Sequence, residues 1–116
     1  MTVSASGLRT ARMDNPLCGD RIEISFGIVD GLIRPAGHRA QACSLVIASA
    51  NVLATVVAGR TPAEARALGE RIDRALRRAD TLPEGCEALA PVVLLPTRRR
   101  CALLPWQALA EGLDTP

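Results

Sequence analysis

Aromatic side chains are nearly missing from this chain of 116 residues, which has one Phe, one Trp and no Tyr. Its core must therefore be built from Ala, Val, Leu and Ile. Lysine is absent altogether, so all 14 basic residues are Arg, a feature of composition rather than of chemistry. Excess charge is lacking too: a formal net charge of +2 is too small to argue for nucleic acid. The longest apolar run, Leu45–Ala58, falls short of the ~20 residues that cross a bilayer, which argues against a membrane protein. Met1–Met13 has no apolar segment of the signal-peptide kind. A cytoplasmic location is expected, where thiols stay reduced and cysteines serve more often as ligands or nucleophiles than as disulfides. No repeat, low-complexity tract or linker divides the chain, and one domain over 1–116 is expected.

Against those absences stand four cysteines. Cys18 lies in Asn15-Pro16-Leu17-Cys18-Gly19-Asp20, a turn with a carboxylate two residues on. Cys43 heads the apolar run Ser44–Ala58, and Cys101 lies in Arg100-Cys101-Ala102-Leu103-Leu104-Pro105-Trp106. Three thiols and the Asp20 carboxylate make a four-ligand set that the fold, not a local loop, has to assemble. Cys86 has no such setting and reads as a structural residue. His38 has no second histidine to join it and reads as a surface or partner residue.

Residues 1–14 show no convincing periodic face, and 1–13 are expected to be a flexible arm or a short docking helix. Arg21–Phe26 alternates polar and apolar as a half-buried strand does. Asp30-Gly31 is a hairpin turn, and a second strand follows over Leu32 to about Gln41, with Pro35 marking it as an edge. A hairpin returns the chain, so Cys18 at its start and Cys43 at its end become neighbours. Ser44–Ala58 is apolar almost all round and predicts a buried helix ended by Gly59. Thr61-Pro62-Ala63-Glu64 is a capping box with proline at the first helical position. The helix it opens carries Leu68, Ile72, Leu76 and Ala79 on one face. A short helical turn over Cys86–Ala90 and an extended third strand over Pro91–Pro96 are expected next. A last helix runs from about Arg99 to Leu113. The fold class is α/β (α+β): a small, mostly antiparallel sheet of about three strands with helices packed on one face.

The thiolate is the useful form of cysteine, and a helix N-terminus favours it through its dipole and free N–H groups. Cys43 and Cys101 both fall at expected helix starts. Arg98-Arg99-Arg100 raises the potential beside Cys101 and suits an acidic partner. Trp106 reads as a packing anchor. Three sulfurs with one oxygen suit zinc or an iron–sulfur cluster.

The order of these motifs resembles the U-type iron–sulfur cluster assembly scaffolds: IscU, SufU and the NifU N-terminal domain. Asn15–Asp20 is similar to the first signature of that family, Cys43 with Ser44 and Ile47-Ala48-Ser49-Ala50 to the second, and Cys101–Leu109 to the third. The long stretch between Cys43 and Cys101, and Arg100 before the third cysteine, resemble the SufU branch. The resemblance implies a SufE/NifU-like fold and a scaffold that accepts persulfide sulfur from a cysteine desulfurase. It implies Cys18, Asp20, Cys43 and Cys101 as ligands of a transient [2Fe–2S] cluster or of Zn2+, and Cys101 as the sulfur acceptor. Recipient apoproteins would take the product. A zinc-dependent persulfide carrier that never builds a cluster is the alternative, and a homodimer sharing one cluster stays open.

Overall fold

The computed structural model describes residues 2–3, 8–15, 19–78 and 81–114. Its sheet is antiparallel throughout, in the order β1 (Thr2–Val3), β2 (Arg9–Asn15), β3 (Asp20–Val29), β4 (Leu32–Gln41). The hairpin joining β3 and β4 turns on Asp30 and Gly31, whose φ angles of 54° and 77° are those of the mirror-image turn that matches strand twist. Along β3, Ile22, Ile24 and Phe26 point inward while Arg21 is exposed. As expected for a proline-bearing strand, β4 is an edge. Its register with β3 slips between Ser25 and Phe26, where Pro35 pairs with Phe26.

Two expectations about the sheet need correction. The arm anticipated over residues 1–13 is strand at Thr2–Val3 and again from Arg9 onward. In β2 the inward positions include Ala11 and Asn15, too small or too polar to announce a strand by alternation. The third strand anticipated over Pro91–Pro96 is helical instead. Glu87–Leu94 forms a 3₁₀ helix with Pro91 inside it, and Pro96–Arg98 forms another. The count of three long strands survives, with β2 in place of that segment.

Helix α1 (Ser44–Val56) stops two residues short of the expected end, and Gly59 turns the chain at φ 76°. It is not buried all round. Val46, Ser49, Ala50 and Leu53 face inward, while Ser44, Ile47, Asn51 and Thr55 form an exposed stripe. Apolar composition overstated its burial because Ile47 and the small alanines tolerate solvent. Helix α2 (Pro62–Arg78) opens on the capping box: the Thr61 N–H donates to Glu64 Oε1 at 2.9 Å, and the Glu64 N–H donates to Thr61 Oγ1 at 3.2 Å. Ala65, Leu68, Ile72, Ala75 and Leu76 are its buried face; Ala79 lies outside the described residues.

Helix α3 (Arg99–Leu113) lies directly on β2 and β3, with α1 and α2 packed against it, so the helices do cover one face of the sheet. The approach is close. A Cβ at Gly112 would come within 2.9 Å of the Phe26 ring and 3.0 Å of Ala11 Cβ, and the Gly112 carbonyl accepts Arg9 Nη1 at 3.3 Å.

Candidate metal centre

Asp20 opens β3, opposite Asn15 of β2. The Gly19 N–H donates to the Asn15 carbonyl at 2.9 Å, and Gly19 itself has φ 74°. Gln41, at the far end of β4, pairs with Arg21, so the hairpin delivers Cys43 beside the start of β3. There Cys43 caps α1 from an extended conformation, φ −66° and ψ 162°, its carbonyl accepting the N–H groups of Val46 and Ile47. Cys101 comes from the first turn of α3 and is 4% exposed.

The Asp20 carboxylate joins the two thiol-bearing segments. Its Oδ1 accepts the Cys43 N–H at 3.2 Å, and its Oδ2 accepts the Cys101 thiol at 3.6 Å. One ligand atom from each of Asp20, Cys43 and Cys101 lies within 4.8 Å of the others. Asp20 is 7% exposed, a burial that a carboxylate tolerates only with donors or a cation around it. Two thiols and one carboxylate are a donor set that zinc and iron both accept, and one ion could reach all three. Cys18, the expected fourth ligand, lies outside the described residues with Pro16 and Leu17.

The other candidates fall elsewhere. Cys86 is fully buried at the start of the 3₁₀ helix, its thiol pushed up first by burial and then by the Glu87 charge. It is not part of the Asp20 cluster. His38 is half-buried in mid-β4, opposite Ile24. Trp106 is 5% exposed, as a packing anchor should be. The segment that leads into α3 is apolar and cationic at its surface: Leu94 is 82% exposed, and Leu95, Arg98 and Arg100 are exposed too, as is Ile47 in the first turn of α1. On the β2 side of α3 a cavity of about 350 Å³ is lined by Asp14, Asn15, Arg100, Leu104 and Gln107.

One residue gained no role from the sequence. Ser49 is fully buried on α1, and its hydroxyl donates to the Ala102 carbonyl at 2.5 Å, next to Cys101. Its signal was present: it shares a helical face with Val46, Ala50 and Leu53, where a hydroxyl has to find a partner.

The chain matches the model of the NifU-like N terminal domain over residues 2–113. It is 30% identical over 105 residues to the zinc-dependent sulfurtransferase SufU of Bacillus subtilis (strain 168), covering 87% of this chain and 71% of that protein. It is 26% identical over 111 residues to the iron-sulfur cluster assembly scaffold protein IscU of Streptococcus pyogenes serotype M1, covering 92% of this chain and 70% of that one. Among solved structures, a nitrogen-fixing NifU-like protein (N-terminal) from Brucella abortus superposes with a TM-score of 0.81 at 29% identity, over 90% of this chain and 75% of that one. A match spanning nearly the whole chain, with the thiols and the carboxylate gathered at one end of the fold, places it: the chain belongs to the family of NifU-like N-terminal domains.

Proposed function

We propose that this protein is an iron–sulfur cluster assembly scaffold: it accepts persulfide sulfur from a cysteine desulfurase, holds a labile cluster or zinc, and passes its cargo to recipient apoproteins. The observation that carries this reading is the Asp20 carboxylate between the Cys43 N–H and the Cys101 thiol, with the three ligand atoms within 4.8 Å of one another. Cys18, Asp20, Cys43 and Cys101 are the proposed ligands, and Cys101 the sulfur acceptor. Free thiols in this use suit a reducing compartment, and the cytoplasm is proposed. No helix among the described residues is long and apolar enough to cross a membrane.

Asp20 Oδ2 is placed to take the proton from Cys101 Sγ. The thiolate then attacks the terminal sulfur of the donor's persulfide: a new S–S bond forms on Cys101, the donor's S–S bond breaks, and the donor cysteine leaves as thiolate. Two electrons from a dithiol, which leaves as its disulfide, or from a reduced electron carrier convert that sulfane sulfur to sulfide and return the Cys101 thiol; the sulfide joins iron as cargo. The exposed residues Leu94, Leu95, Arg98 and Arg100, on the segment that leads to Cys101, offer a docking partner contacts of both kinds. A hard carboxylate among thiolates makes a site of intermediate strength, which suits a protein that must release what it builds.

A second reading is a zinc-dependent sulfur carrier, favoured by the 30% identity to a protein named for that activity. Bound zinc would stabilise thiolates among Cys18, Cys43 and Cys101. The deciding experiment measures zinc, iron and acid-labile sulfide per chain after anaerobic incubation with iron, cysteine, a desulfurase and dithiothreitol. Iron and sulfide in comparable amounts, lost in the Cys18, Cys43 and Cys101 serine variants and longer-lived in Asp20→Ala, establish the scaffold. Tightly held zinc with no iron uptake establishes the carrier, and no metal at all rejects both.

A further inference from the structure

Helix α3 starts under two handicaps. Pro105 falls in its second turn and has no N–H, so the helical rung from residue 105 back to the Cys101 carbonyl does not form, and the proline ring crowds that same carbonyl. In addition, no side chain caps the helix at Arg98 among the described residues. The turn that carries Cys101 is thus held less firmly by its own helix than the turns beyond it.

Ser49 supplies a tie from outside. A serine in mid-helix ordinarily bonds a carbonyl of its own helix or faces solvent. This one is fully buried on α1 and donates to the Ala102 carbonyl at 2.5 Å. Alanine would fill nearly the same space with no hydroxyl to satisfy, so the hydroxyl is what this position adds. The bond runs between the two helices that present the thiols, since α1 is capped by Cys43 and the acceptor residue adjoins Cys101.

From these observations we infer that Ser49 is a positioning residue of the metal centre. By tying the first turn of α3 to α1, its hydroxyl fixes Cys101 relative to Cys43 and so sets how tightly, and at what angles, the two thiols hold a thiophilic divalent metal. The inference rests on the metal-holding reading above. Ser49 touches no ligand atom in this role; it acts through the helix that carries one.

The test compares wild type, Ser49→Ala and Ile72→Val, the last a small core deletion on α2 that leaves the tie intact. Zinc alone is titrated against a chromophoric chelator, cobalt(II) alone is followed through its ligand-field bands, and amide hydrogen exchange is read at residues 101–104 in the metal-free protein. Ser49→Ala is expected to weaken zinc binding about tenfold, shift the cobalt bands and speed first-turn exchange about tenfold, with Ile72→Val near wild type in all three. If Ser49→Ala matches Ile72→Val in zinc affinity and cobalt spectrum, Ser49 is ordinary packing and the inference falls. If wild type binds neither metal, the metal reading fails, and unchanged exchange in Ser49→Ala then overturns the tie as well. Should Ser49→Ala not fold, Pro105→Ala serves: it returns the missing rung and must slow exchange at 101–104, and unaltered exchange rejects the argument.

Discussion

Helices α1 and α2 are of similar length and lie against the same α3, yet they begin in opposite ways. The start of α2 is closed reciprocally by Thr61 and Glu64, and its exposed face carries the Asp73–Arg77 pair at 2.6 Å. The start of α1 is Cys43, with no side-chain cap among the described residues and its own N–H given to Asp20. Helix α3 repeats the second pattern, with three arginines at its positive end, where the dipole disfavours them. Helix starts at the metal centre are left under-stabilised, and the helix start remote from it is optimised. Local rules break where a site needs thiols and cations at helix ends, and hold where nothing but stability is at stake.

Breaking the site side should separate function from stability. Cys101→Ser is expected to lower zinc affinity by at least about a hundredfold, beyond the loss that altered supporting residues cause, and to abolish sulfur acceptance. Its thermal midpoint in the metal-free state should stay close to that of wild type. Chelator competition and calorimetry on one preparation check both halves. A midpoint that collapses along with metal binding would mean Cys101 is mainly a core residue.

The converse change lies far from the centre. Gly112→Ala adds a methyl group where the Phe26 ring and Ala11 already stand about 3 Å away. Helix α3 then has to lift from the sheet, a destabilisation of about 1–3 kcal/mol despite alanine's better helix propensity. Urea unfolding should show the lower midpoint, and zinc affinity should change by less than a factor of about two.

Much of this contrast was legible in the sequence because its causes are local. Thr61 to Glu64 is a complete capping signal within four residues, and Asp30-Gly31 names its own turn, so α2 and the β3–β4 hairpin stand where expected. That hairpin alone implied that Cys43 returns to the start of β3. Strand β2 was hidden because its inward side chains include Ala11 and Asn15, and its pairing is decided by β3 and by Arg9 reaching Gly112 on a helix a hundred residues away. Pro91–Leu95 has a strand's composition but no neighbour to pair with, and with proline inside it settles as 3₁₀ turns. Ser49 was legible only as a buried hydroxyl in need of a partner; which partner was hidden for the same reason as β2, because it lies on another helix.

On the optimised side, Thr61→Ala removes one half of the box and should cost about 1 kcal/mol, read from urea or thermal unfolding. Glu64 adds a pH dependence. Its carboxyl is held below the ordinary carboxylate range, first by the Thr61 N–H and then by the Thr61 hydroxyl. A lowered folded value means its contribution is present above the unfolded value and is lost as pH falls through the folded one. Glu64→Gln should therefore show a shallower loss of stability on acidification than wild type. The difference will be small because Glu64 is exposed, and a parallel pair of acid curves would show that the charge plays no part.

The smallest expected effect sharpens the comparison most. Arg98 caps α3 with a side chain of the wrong charge and no capping oxygen. Arg98→Asp replaces a positive by a negative charge at the positive end of the helix dipole, and should raise stability by about 0.5–1 kcal/mol. The same change cuts the positive charge beside Cys101, in a stretch from Ala88 to Ala110 that contains three arginines and no acidic residue, to a net single charge. If the helix start is kept weak for the sake of a partner, Arg98→Asp gains in thermal midpoint while losing rate in sulfur transfer from a desulfurase, and the loss shrinks as salt screens the docking. A variant that gains stability and transfers sulfur at the wild-type rate would show that the uncapped start of α3 serves no partner at this position.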